Sequence, residues 1–311
     1  MIPRKVVPFV FTICFLLFSI NQSVAQRAVG FDFLRTLVGA KPAAMGGAFV
    51  AMPGDIHNVF YNPAGLSHLD KRQATVSYLN HILDFQNGFL AYAQPLYHGT
   101  FAAAVNFFDY GNFEGKDINN QDTGSFDSNS FVLSTSYALE LRYVKNLSVG
   151  GSAKFVRFQI DNLSSTAVAF DFGVMYEIPD QSVSFGAGVF NVGTTTSAFI
   201  NTKDDLPLNF QFGAAKQLEH LPLLVSGSIL KYKDDSVDFR VGGEFTLSEQ
   251  LFLRLGYNSV GQDQKVGADK DKFAGVSFGL GFKLNTFNFD YSFSSFGEVG
   301  SLNRITLVGR F

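Results

Sequence analysis

The sequence predicts an all-β protein: a transmembrane antiparallel β-barrel of about 14 strands, preceded by an N-terminal plug or hatch segment. Three observations predict it. Apolar residues alternate with small or polar ones almost everywhere after residue 72, the alternating runs are mostly 10–13 residues long, and the connections between them sort by parity into short and long. Successive side chains on a strand point to opposite faces, so each run carries one apolar flank and one mild flank. Soluble strands average about 5 or 6 residues, whereas a tilted membrane strand needs roughly 9–11.

Composition points the same way. Charged residues make up only 16% of the 311, Phe is abundant at 36, and mean hydropathy is +0.12. Yet no apolar run after residue 25 is long enough for a membrane helix, a conflict that a barrel resolves because only every second residue faces lipid. A net charge of −3 excludes the basic face of a nucleic-acid binder. The apolar content excludes disorder. A single cysteine makes neither a disulfide framework nor a thiolate zinc site.

Residues 1–25 read as a secretory signal peptide. Arg4 and Lys5 form the charged region, Val6 to Ile20 the apolar region, and Ser23-Val24-Ala25 the cleavage site. Residues 26–72 lack alternation and read as the plug or hatch segment. Phe33 to Val38 suits a short helix or a turn-rich strip. Lys41 to Ala48, with Gly46 and Gly47, suits close backbone contact. Asp55 to Tyr61 suits a helix with Asp55 as N-cap. The run Asn62-Pro63-Ala64-Gly65 must turn, because Pro63 disfavours helix at Asn62 and Gly65 permits a left-handed φ. The segment is too apolar for a solvated tail outside the pore, so the lumen is its expected place.

Residues 73–311 read as the barrel, with strands at 73–82, 85–95, 99–109, 127–139, 147–159, 166–178, 183–192, 208–217, 222–232, 237–247, 251–259, 273–283, 286–296 and 301–311. The odd-numbered gaps 110–126, 193–207 and 260–272 are long and polar, while even-numbered turns around Pro179, Ser248 and Asn285 are short. Outer-membrane barrels show this asymmetry of short periplasmic turns and long external loops. A soluble sandwich also alternates, with its apolar face inward. Here the mild flanks are rich in Gly, Ser, Ala and Asn and poor in Lys and Glu, which suits an enclosed lumen better than a water-facing surface.

Chemistry-bearing motifs are sparse. The five histidines show no metal-ligand spacing, no Gly-rich phosphate loop is present, and no Ser sits in a nucleophile elbow. The Asp117–Asp122 run lacks EF-hand spacing and reads as a polar loop. No catalytic residue, metal or cofactor is therefore expected.

The stretches Phe33-Leu34-Arg35, Val38 to Ala51 and Tyr61-Asn62-Pro63-Ala64-Gly65-Leu66 resemble the N-terminal region of the PorV/PorQ family, itself similar to FadL-type fatty-acid transporters with their Asn-Pro-Ala turn. Phe311, ending an amphipathic strand, resembles the C-terminal signal read by the barrel assembly machinery. The resemblance implies the outer membrane of a Gram-negative, Bacteroidetes-like bacterium and a role in type IX secretion. The implied partners are outer-membrane lipid, secretion-system components and secreted proteins with C-terminal sorting domains. Two functions stay open: a protein-interaction, shuttle or accessory component of that system, or a FadL-like channel for hydrophobic molecules such as long-chain fatty acids. The mild lumen leaves little apolar lining for the second, and inward-turned residues of the plug such as Phe49, Phe60 and Leu66 are the ones that could supply it.

Overall fold

The computed structural model describes residues 30–311 apart from 81–84, 234, 236, 265, 266 and 268. The signal-peptide reading over 1–25 lies outside the described residues.

Fourteen strands form one closed antiparallel barrel: β1 Gln73–Asn80, β2 Gln86–Leu96, β3 Gly99–Lys116, β4 Asp122–Glu140, β5 Leu147–Ile160, β6 Leu163–Ile178, β7 Val183–Ser197, β8 Asn209–Gln217, β9 Leu223–Tyr232, β10 Val237–Thr246, β11 Leu251–Asn258, β12 Val276–Leu284, β13 Phe287–Ser295 and β14 Ser301–Arg310. Each pairs with its sequence neighbours. Closure comes from β1 on β14, in register from Gln73 opposite Arg310 to Asn80 opposite Asn303. Closure removes the sheet edges that hydrocarbon cannot satisfy.

The alternation resolves as the sequence requires. Leu90 and Tyr92 on β2, Phe170, Phe172 and Val174 on β6, and Phe278, Leu280 and Phe282 on β12 all face outward and are exposed. Their neighbours Ala91, Ala169, Asp171 and Ser277 face inward and are buried. A soluble sandwich would invert this. Burying a large apolar side chain stabilises by about 1.5–3 kcal/mol, and here only lipid can provide that burial for the outer Phe residues.

Two stretches depart from expectation. The gap 110–126 is mostly strand: β3 and β4 run on as a hairpin whose turn is only 117–121. Gly111 and Asn112 suggest a loop, but Tyr110 and Gly111 form a bulge between Asp109 and Asn112, with Gly111 at φ 79°, and pairing resumes at Asn112. Phe113 then stacks on Phe126 with ring centroids 5.4 Å apart. Likewise β7 extends to Ser197, past a second bulge where Phe190 and Asn191 together oppose Asp171. That bulge turns two consecutive side chains inward, both buried.

Phe311 lies where the barrel closes. Its amide donates to the Arg72 carbonyl at 2.9 Å, and its ring packs edge-on against Phe287 at 6.2 Å. Deleting Phe311 removes both contacts at the β14 end of the seam, so folded barrel in the membrane fraction should fall several-fold. Heat-modifiable gel mobility measures this; unchanged yield would refute the role of the terminal residue.

Candidate functional site

Residues 30–72 pack against the inward face. Phe49, Tyr61, Ile56 and Leu66 are fully or almost fully buried. Four short elements interrupt the chain: the 3₁₀ turn Asp32–Arg35, helix α1 Ala40–Ala44, helix α2 Asn58–Tyr61 and the 3₁₀ turn Pro63–His68. Such short pieces leave many backbone groups without internal partners, and the strand side chains supply them. The Ala40 amide donates to Thr306 Oγ1 on β14 at 2.8 Å. Ser277 on β12 donates to the Ala44 carbonyl, Ser226 on β9 to Ala48, and Ser184 on β7 to Ala51, at 3.1, 2.7 and 2.6 Å. Ser184, Ser226, Ser277 and Thr306 thus hold backbone groups of the segment against the wall.

The predicted motif residues fall on two arcs of the wall and do not converge on one cluster. Gly46 and Gly47 adopt φ of 65° and 78°, reversing the chain after α1 against β10 and β11. Asn62, Pro63, Ala64 and Gly65 lie against β5 and β6. Asn62 is extended (φ −164°), as Pro63 demands. Its Oδ1 accepts from the Ala64 amide at 3.1 Å, capping the 3₁₀ turn, while Nδ2 donates to the Val50 and Val174 carbonyls at 2.7 and 3.1 Å. Gly65 is not left-handed as expected. It is glycine because a Cβ there would stand 2.4 Å from Asn58 Nδ2 and 3.1 Å from Met175 Cε. Met175, which breaks the apolar alternation of β6, points inward to make that contact. Asp55 is not an N-cap either: α2 begins at Asn58, and Asp55 instead accepts from His57 through backbone and ring.

A chain of charges joins segment to wall. Asp290 on β13 pairs with Arg254 on β11 at 2.6 Å, and Arg254 pairs with Glu244 on β10 at 2.5 Å. Lys41 of α1 reaches Glu244 at 3.6 Å and Asp55 at 3.7 Å, and Asp55 meets His57 at 2.7 Å. Burial opposes ionisation of Asp55, but His57 and Lys41 outweigh it and hold the carboxyl well below its ordinary range. Burial pushes the Tyr61 hydroxyl well above its ordinary range. That hydroxyl is fully used: it accepts from the Val38 amide at 3.1 Å and donates to the Val38 carbonyl at 2.9 Å. The charge chain escaped the sequence reading. Its available signal was Arg254 and Glu244, two full charges on mild flanks that face each other in register.

Elsewhere on the wall Lys154 pairs with Asp171 at 2.6 Å and donates to Asn191 at 3.0 Å. Ser148, His68 and Glu177 line up as hydroxyl, imidazole and carboxylate at 3.1 and 3.3 Å. The order matches a hydrolase triad, but Ser148 has no exposed surface. Asp117, in the β3–β4 turn, accepts from the amides of Asn119 and Gln121 at 2.8 Å. It therefore caps its own turn.

Two cavities flank the Asp32–Arg35 turn. One, of about 540 Å³, lies against β10–β14 and is lined by polar and charged groups, among them Arg240 and Arg304. The other, of about 390 Å³, is largely aromatic, bounded by Phe33, Phe85, Phe108, Tyr110 and Phe158.

A 14-stranded barrel, apolar outside and lined with small polar residues inside, is an outer-membrane barrel. The chain belongs to the PorP/SprF family of type IX secretion system membrane proteins, whose model matches residues 58–298. Among solved structures it is similar to the Pseudomonas putida toluene transporter TodX: 13% identity, TM-score 0.59, covering 88% of this chain and 98% of that one. It is also similar to the monoaromatic hydrocarbon channel CymD: 11% identity, TM-score 0.59, covering 91% and 99%. At such identities these likenesses establish the fold alone. No curated protein matches the sequence. The secretion-system association read from the N-terminal motif holds at the level of the PorP/SprF family.

Proposed function

We propose that the chain is a non-catalytic, protein-interaction or accessory component of type IX secretion, its barrel a plugged platform in the outer membrane. The observation that carries this reading is the lumen lining: inward serines and threonines of β7, β9, β12 and β14 bond the chain's own backbone. A wall committed to holding a polypeptide is poorly suited to bulk permeation. The long-loop end, dominated by the extended β3–β4 hairpin, offers the outward binding surface. Secreted proteins with C-terminal sorting domains and other components of the machine are the proposed partners; a PorV-like shuttle and a PorQ-like attachment role are both compatible with that surface. Cleavage after Ala25 and insertion by the barrel assembly machinery precede this role. The buried Ser148 acts as a clamp between β5 and the Pro63–His68 turn, with no path for a substrate to its hydroxyl.

The test is co-purification of the detergent-extracted chain from its native membrane, paired with the secreted proteome of a deletion strain. Recovery of sorting-domain proteins and their loss from the cell surface are expected. Intact secretion together with impaired uptake of a hydrophobic compound would favour a second reading, a conduit for small apolar molecules. One observation supports that alternative: the aromatic cavity beside Phe33, bounded by the N-terminal segment and by the wall.

A further inference from the structure

Four cationic side chains are buried among the described residues: Lys154, Arg240, Arg254 and Arg304. The fold gives Lys154 a carboxylate and Arg254 two. Arg240 and Arg304 are 5% and 2% exposed and have no carboxylate within ion-pair distance among the described residues. Their hydrogen bonds are long, 3.5 Å from Arg240 to the Gly47 carbonyl and 3.4 Å from Arg304 to Ser294 Oγ, and the Nε–H of each lacks an acceptor. A buried charge without a partner is costly, several kcal/mol per ion, so a fold that keeps two such charges implies a ligand that compensates them. Both guanidiniums line the cavity of about 540 Å³ between the Asp32–Arg35 turn and strands β10–β14.

We propose that this cavity is a carboxylate-binding site in which Arg240 and Arg304 grip the anion. The guanidinium fork matches a carboxylate with two parallel hydrogen bonds. Asn258 and Ser294 lie in the same lining and add neutral donors. Charge narrows the ligand. Among the described lining residues Arg35, Arg240 and Arg304 stand against Asp32, Asp235 and Asp238, so the lining is neutral overall; Asp32 and Asp235 sit on Arg35 at 3.1 and 2.5 Å, and Asp238 accepts from the Ser259 hydroxyl at 2.9 Å. A monoanionic carboxylate between the two guanidiniums adds one negative charge to that lining, and a phosphate dianion adds two. The carboxylate comes from a small organic acid or from the free carboxyl terminus of a polypeptide. The site stands apart from the secretion reading, since it rests only on the wall arginines and their cavity.

The experiment is calorimetric titration of the full chain in detergent with sodium acetate, N-acetylphenylalanine, N-acetylphenylalanine amide and inorganic phosphate. The two acids, or the peptide-like acid alone, are expected to bind and the amide is not. Acetate binding as well as the larger acid identifies a small-acid site; N-acetylphenylalanine alone identifies a polypeptide terminus. Arg240→Gln and Arg304→Gln should each weaken acid binding at least tenfold, while Arg240→Lys and Arg304→Lys, which keep the charge and lose the fork, should fall between. Heat-modifiable mobility verifies that each variant is folded. If a Gln variant fails to fold, its Lys counterpart and the acid-against-amide comparison in the unaltered chain still decide. Equal binding of acid and amide, tighter binding of phosphate, no binding of either acid, or unchanged binding in the folded arginine variants would overturn the proposal.

Discussion

Arg254→Met should be among the most destabilising single substitutions in the barrel wall, costing about 3–5 kcal/mol. Arg254 is 2% exposed and bridges Glu244 and Asp290 at 2.5 and 2.6 Å. Removing it leaves a buried carboxylate, Asp290 on β13, and a largely buried one, Glu244 on β10, without the cation that bridges them over β11 and β12. Lys41, 3.6 Å from Glu244, would then be drawn from Asp55, so the cost spreads to the seat of the N-terminal segment. Urea or heat unfolding, followed by gel mobility, measures the loss. The triple variant with Glu244→Gln and Asp290→Asn should recover most of it, because replacing all partners of a buried pair is far less costly than removing one. A single variant as stable as the unaltered chain would mean that water reaches these charges and that they do not tie segment to wall.

The barrel was legible because lipid imposes one rule on every strand: an apolar flank outward and a closed backbone ladder. Period two therefore survives in the sequence wherever the chain crosses the membrane, as in Phe287 to Phe293 on β13. Where the hairpin β3–β4 leaves that zone, the rule lapses. Turn-forming residues such as Gly111 and Gly124 then read as loop, although backbone pairing and the Phe113–Phe126 stack continue the strands. Gly65 and Asp55 were misread for a related reason. Each has a local role in most proteins, a left-handed turn and a helix cap, but here tertiary neighbours decide: Asn58 and Met175 crowd Gly65, while His57 and Lys41 claim Asp55. The charge chain spans α1, β10, β11 and β13, so no local window contains it. The same holds for Arg240 and Arg304, whose lack of a carboxylate among the described residues is a property of the assembled wall and not of any local window.

Gly256→Leu should expel the N-terminal segment from its seat and open the lumen. The wall approaches the segment closely at this residue: a Cβ on Gly256 would lie 2.1 Å from Gly46 N and 2.4 Å from the Met45 carbonyl carbon. Those are backbone atoms, and Gly46 already occupies φ 65°, so the segment cannot yield by a rotamer change. The barrel can tolerate the substitution, because the new side chain points into the lumen and leaves the β10–β11–β12 ladders intact. The strain therefore falls on the segment. In planar bilayers the unaltered chain should conduct weakly, and Gly256→Leu should raise conductance at least tenfold while gel mobility still reports a folded barrel. Gly243→Leu is the control. On β10 a Cβ there meets only the outward Leu223 side chain and the Leu224 carbonyl, at 3.4 and 3.7 Å, and the side chain points away from the segment, so conductance should stay low. A folded Gly256→Leu barrel that conducts no better than the unaltered chain would show that the segment does not close the pore. The lumen serines would then need another reason to be there.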